Sequence, residues 1–372
     1  YPIGNFLYPG FFYLATPFKV LGLDFVEAVK AVIILSFVSS GTGTYLWLRS
    51  RFSEAAAFLG GLVYVYFPYH LYDLYARGSV GELLAFGVLP FLLIAIDRKQ
   101  TILGSILVGL LLLSHNTFAL LILPFLLFYI YLSGRRTVFL VIPFGLLISA
   151  FFWLPSLLEL PLTVFSLTAI SDWKTYFITL QNGMLFGWIG GVLFLGSLYL
   201  LYRKKHTITL FFVSVYCLGL FFATGASSFF WELGILPKLV QFPWRFLLLC
   251  VWSGAFIAAY LLDMVMHKKR AILFLLISVA LIASVVPQFA LLRPVIREEG
   301  YYTTNEDTTT TQGEYMPLTV TKLPQVHPET NVIVSSGQAQ ITDEVVNSYA
   351  LRFTAVSSSG ATLELQRIYY PG

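Results

Sequence analysis

Apolar residues run along this chain in stretches that short polar connections interrupt, and the pattern persists as far as Leu292. The runs approach the roughly 20 residues an α-helix needs to cross a bilayer. About ten candidate spans can be marked, near 28–48, 55–72, 83–97, 101–114, 117–133, 138–157, 183–202, 207–225, 243–262 and 271–291. Those between 83 and 133 are nearer 15 residues, a length that also suits re-entrant segments or helices buried within protein.

After Leu292 the pattern changes. Residues 293–325 are polar and include the low-complexity stretch Thr303–Thr311. From Asn331 onward, the alternating runs NVIVSS, AQIT, YALRFTAV and ATLELQRI are separated by turn residues such as Ser357–Gly360. The expected fold is an all-α polytopic membrane bundle followed by a small extracytoplasmic β-rich domain. It divides into the end of an extracytoplasmic loop (1–27), a transmembrane helical domain (28–292), a polar linker (293–330) and a truncated β domain (331–372). The chain opens at Tyr1 with no charged leader before the first apolar run, so it reads as a fragment lacking its natural N-terminus.

Composition strengthens the membrane reading. Hydrophobic residues make up 58% of the chain and charged residues 11%, where soluble domains carry roughly 25% charged residues. Cys217 and Cys250 both lie in apolar runs, which argues against a disulfide framework or a CxxC metal site. The net charge of +4 is spread over connections between spans and forms no basic face for nucleic acid.

Basic residues recur in every second connection: Arg49 and Arg51, Arg98 and Lys99, Arg135 and Arg136, Arg203 to Lys205, and Lys268 to Arg270. The alternate connections hold only Arg77, Lys174 and Lys238. Short positive loops resist translocation, so the first set is expected in the cytoplasm and the second outside, with both chain ends outside.

Ionisable groups at membrane depth are costly and serve a pairing or a function. Asp73, Arg77 and Glu82 lie in YFPYHLYDLYARGSVGELLAF, after the helix breaker Pro68; His115 and Asn116 follow at a second outer turn, and Arg245 opens a span in QFPWRFLLL. Arg77 and Glu82 have two readings: a salt bridge that closes a loop, or part of an anion site in which Arg77, His115 and Arg245 converge on a phosphate. His115 also has the plainer reading of a helix-end histidine bonded to backbone. Tyr69 and His70 are secondary candidates. Glu159, Asp172, Trp173 and Tyr176 belong to an outer segment, 158–182, whose aromatics suit the headgroup level without any catalytic role.

No Gly-rich phosphate loop, HExxH or GxSxG motif is present, and nothing in the pattern requires a metal or cofactor. The pieces YVYFPYHLYDLYARGSVGELLAF, LLLLSHNTFALL, QFPWRFL and EYMP resemble a family of bacterial multispanning proteins, the "6-pyruvoyl-tetrahydropterin synthase-related" membrane domain. That label does not imply pterin chemistry. The resemblance covers roughly residues 1–320, and the family is similar to C-type glycosyltransferases of the cell envelope.

The resemblance implies transfer of a sugar from a polyprenyl-phosphate donor to an extracytoplasmic glycan or protein acceptor. An acidic residue in the first outer loop would act as general base, and cations would hold the lipid phosphate. It assigns Arg77, His115 and Arg245 to the phosphate, with Glu82 and Asn116 beside them. The base is unassigned; Asp24, in GLDFVEAVK, is a weak candidate that also reads as a helix cap. Two other classes stay open: a lipid-linked glycan flippase or exporter, and a non-catalytic cell-surface scaffold. A transporter would need polar groups through its spans, whereas here they gather at one face.

Overall fold

The computed structural model describes residues 3–134, 138–167, 172–179, 183–203, 206–265, 267–290, 292, 295–304, 313–320, 329–347, 350–368 and 370. Of the basic clusters, Arg135, Arg136, Lys204, Lys205 and the side chain of Lys268 lie outside the described residues, as does most of Thr303–Thr311.

The chain opens with helices α1 (Ile3–Phe6), α2 (Gly10–Val20), α3 (Phe25–Arg49), α4 (Glu54–Tyr66) and α5 (Pro68–Tyr72), then a π-helical turn, Asp73–Arg77. Next come α6 (Val80–Asp97), α7 (Thr101–Ser114), α8 (Asn116–Leu132), α9 (Val141–Ile148) and α10 (Ala150–Glu159). The remaining helices are α11 (Gly187–Tyr202), α12 (Thr207–Ala223), α13 (Ser228–Glu232), α14 (Ile235–Leu239), α15 (Leu247–Met264), α16 (His267–Ala290) and α17 (Glu299–Thr304). Four strands follow: β1 (Val332–Gly337), β2 (Gln340–Val346), β3 (Leu351–Val356) and β4 (Ala361–Leu365).

Two compact units result. The helical unit comprises residues 4–158 and 168–305. The smaller unit joins residues 159–167 to 306–372. In it, β1 pairs antiparallel with β4 and β2 with β3, each pair interrupted by a bulge. The segment after α10 is stitched to the stretch before β1 by Val164 N–H donating to Met316 O (2.9 Å) and Leu318 N–H donating to Leu162 O (2.9 Å). Tyr370 Oη donates to Glu159 Oε2 at 2.9 Å, so Glu159 has a structural partner.

The described residues do not support ten full spans. Among the described residues, four helices are long and apolar enough to cross a membrane: α3, α6, a 22-residue segment from Pro243 through α15, and Lys269–Phe289 within α16. The count reaches six if α9 with α10, bent by 71°, and α12 with Gly225–Glu232, bent by 83°, are each one broken span. α7, α8 and α11 are apolar but only 14, 17 and 16 residues long. The run at 55–72 breaks for a local reason. Pro68 disfavours helical backbone at the preceding residue, and Phe67 accordingly turns to φ −58°, ψ 133°.

α3 begins with a capping box. The Asp24 side chain accepts from Glu27 N–H at 2.6 Å, and Glu27 Oε2 accepts from Asp24 N–H at 3.2 Å. Farther along, Ser36 and Ser40 return their hydroxyls to the carbonyls of Val32 and Ser36, which satisfies them without water. Small residues then let helices close. A Cβ on Gly87 would meet Ser36 O at 3.0 Å, and one on Gly60 would meet Ala255 O at 2.8 Å.

The core sits on α6 and α15. Of their most apolar windows, 78% and 83% is buried, against 22% for both α3 and α16. Phe212 of α12 stacks on Phe256 of α15 with centroids 4.1 Å apart, and Trp252 meets Phe212 edge-on.

Candidate functional site

The break at Pro68 sets the site's position. It separates α4 from α5 and the π-helical turn, which together connect α4 to α6. Asp73 and Arg77 bracket the turn and pair with each other, as the i, i+4 spacing with the acid first favours. Gly78 closes it at φ +61°, a left-handed conformation that suits glycine. Glu82 follows on the first turn of α6, and Arg77 Nη1 reaches its Oε2 at 2.7 Å.

Arg77 therefore holds both carboxylates, Asp73 and Glu82, which are buried. Burial alone would pull the Arg77 guanidinium down, but Glu82 and Asp73 raise it above its ordinary value, so it stays charged. Burial and the nearby Glu82 push Asp73 well above the usual carboxylate range, against the pull of Arg77. Tyr69 Oη donates to Glu82 Oε1 at 2.6 Å, and the Arg77 guanidinium lies 4.6 Å from the Trp244 ring centre.

His115 enters from the junction of α7 and α8. Its Nδ1 accepts from Phe118 N–H at 3.1 Å and caps α8, which leaves the proton on Nε2, 3.8 Å from Glu82 Oε2. Burial lowers His115 to about 4 in spite of Glu82, so the ring is neutral near pH 7. Tyr8 packs against it at 4.9 Å between ring centres. A Cβ on Gly81 would overlap the Tyr8 ring, so the glycine is what lets that ring in.

Arg245 completes the cluster from the start of the α15 span. Its Nη1 donates to Val240 O and Gln241 Oε1, both at 2.9 Å, and it lies within electrostatic reach of Arg77, Glu82 and Asp73. Among the described residues, its Nε is buried with no hydrogen-bond partner, as is Asp73 Oδ2.

Arg77, His115 and Arg245, named from sequence, thus gather about one carboxylate, Glu82, two of them as cations and His115 as a neutral ring. Asp73 and the secondary candidate Tyr69 join them, and the structure adds Tyr8 and Trp244, the latter a direct neighbour of Arg245 in sequence. His70 is buried at Tyr64 O through Nδ1 (3.0 Å) and lies against Phe86. Asn116 is not brought in: it is exposed, and its Oδ1 accepts from Thr117 N–H at 2.7 Å. Asp24 is engaged in the α3 capping box. Among the described residues, no group of three His, Cys, Asp or Glu could hold a metal ion.

One face-restricted polar set is too simple a picture. At the far end of α6, Asp97 pairs with Arg51, accepts from Tyr129 Oη (2.8 Å) and accepts from Trp47 Nε1 (3.2 Å). Sequence reading took Arg51 and Arg98 only as topology markers. The signal it passed over was Asp97, an acid closing an apolar run.

A bundle of apolar helices that sequesters ionised side chains at its ends defines a helical integral membrane protein. The chain belongs to the membrane-protein family described as "6-pyruvoyl-tetrahydropterin synthase related domain", whose profile matches residues 6–292. Neither a curated protein nor a solved structure matches it.

Proposed function

We propose that this chain is a membrane glycosyltransferase-like protein that takes a sugar from a polyprenyl-phosphate donor and passes it to an extracytoplasmic acceptor. The observation that carries the reading is the unpartnered Nε of Arg245, buried beside Arg77, His115 and Glu82. An unsatisfied guanidinium nitrogen is expensive to bury, and a phosphate oxygen is the acceptor its geometry suits.

Division of labour within the cluster follows from the pairing. Arg77 is spent on two carboxylates and acts as the structural cation, while Arg245 is the one left to meet a leaving phosphate. Neutral His115 supplies an Nε2–H donor on the same side as Glu82. Asp73 and Glu82 are committed to Arg77 and Asp24 to its helix, so none of the three is assigned as the base.

The apolar stretch from Leu83 to Ile96 favours transfer over export, because a translocation path for a charged glycan would need polar groups between the two ends of α6. The test uses the full-length protein in proteoliposomes with a labelled polyprenyl-phosphate sugar. Transfer to a membrane acceptor is expected, and Arg245→Gln should weaken donor binding by roughly tenfold or more, the worth of a charge-assisted hydrogen bond. Movement of the donor across the bilayer without transfer would overturn the reading.

A further inference from the structure

The far end of α6 carries a cavity that the sugar-transfer reading does not use. It measures about 270 Å³ and is lined by Leu46, Ser50, Arg51, Ile94, Asp97 and Arg98. We propose that it holds the phosphate of an anionic membrane lipid.

Its charge comes from the pairing described above. Arg51 is locked by Asp97, by Tyr129 Oη at 2.6 Å and by Trp47 O at 3.1 Å, so its charge is largely offset. Arg98 is exposed, and its side chain has no hydrogen-bond or ion-pair partner among the described residues. Two guanidiniums against one carboxylate leave the cavity with one surplus positive charge, facing outward. The volume lies just under the roughly 300–1,000 Å³ of drug-sized sites, which suits a single headgroup phosphate.

Its position selects lipid over a soluble anion. Leu46 and Ile94 lie inside the spans Phe25–Arg49 and Val80–Asp97, whereas Ser50, Arg51 and Arg98 follow their ends. The wall therefore turns from apolar to cationic where hydrocarbon gives way to headgroups. A free phosphate has no use for the apolar half. Leu46, about half exposed, offers that half to an acyl chain.

The test places the purified full chain in phosphatidylcholine nanodiscs with and without phosphatidylglycerol, and reads thermal midpoint and bound lipid by native mass spectrometry. Phosphatidylglycerol should stabilise the protein and stay bound. Arg98→Gln should weaken that retention by roughly tenfold or more. Arg49→Gln serves as the control, since Arg49 is exposed, lies 3.9 Å from Glu54 and does not line the cavity. Diffuse surface attraction is worth only about fivefold per basic residue. Equal losses in the two variants, no loss in Arg98→Gln, or the same stabilisation by inorganic phosphate alone would each overturn the proposal.

Discussion

Glu82 and Asp97 stand fifteen residues apart on α6, about 22 Å along the helix; Glu82 binds Arg77 from the turn just before the helix and Asp97 binds Arg51 from 46 positions upstream. The intervening residues are apolar, so one buried helix joins two charged ends with no polar link between them. That arrangement makes the two networks separately testable.

At the Glu82 end, Arg77→Met should destabilise the protein by about 3–5 kcal/mol, because it leaves Asp73 and Glu82 as buried, uncompensated carboxylates. Thermal unfolding in a fixed detergent would measure it. A loss near zero would mean that the triad is not formed in the bilayer.

His115 makes stability depend on pH. Its folded pKa, about 4, lies below the usual 6.5, so between those values the unfolded chain binds more protons. The stability it contributes is full above about pH 6.5 and is lost as pH falls toward about 4. His115→Asn keeps an acceptor for Phe118 N–H but does not titrate. The variant should lose less stability than the parent over that window, by up to a few kcal/mol, when unfolding is followed across pH.

Asp24→Ala should cost about 1 kcal/mol through loss of the α3 cap, and Asp24→Asn almost nothing. Sugar transfer by the full-length protein should be unchanged in Asp24→Asn. Abolished transfer there would return Asp24 to the role of base.

At the Asp97 end, Tyr129→Phe removes a hydroxyl that donates to Asp97 and accepts from Arg51. A stability loss of about 1–3 kcal/mol is expected, additive with Arg77→Met because the networks share no partner. Strong non-additivity in the double variant would show that the two ends are coupled.

Sidedness is open to cysteine labelling of intact cells after the free Cys217 and Cys250 are replaced. Lys204 and Thr310 lie outside the described residues, so the exposed Tyr75, Arg98 and Ser335 are better sites. Alternation of basic loops predicts labelling at 75 and 335 and protection at 98. The reverse pattern would invert the bundle and move the Glu82 cluster to the cytoplasm.

Sequence alone determined that this is a helical membrane protein, because about twenty apolar residues in succession leave the backbone no option but a helix. It also singled out Arg77, His115 and Arg245, since charge is rare in such a chain, and it marked Pro68 as a break. Tertiary structure decided the rest. α16 is at least as apolar as α6 and α15, yet it faces outward while they form the core. Lipid tails and buried side chains are equally apolar neighbours, so hydropathy cannot tell the two apart. The pairing of Arg51 with Asp97, 46 positions away, was likewise beyond reach; the Arg77–Glu82 salt bridge was one of two readings the sequence left open, and only the structure added Asp73 to it. Composition shows that a buried charge needs a partner, but only the packing of helices distant in sequence decides which partner it finds.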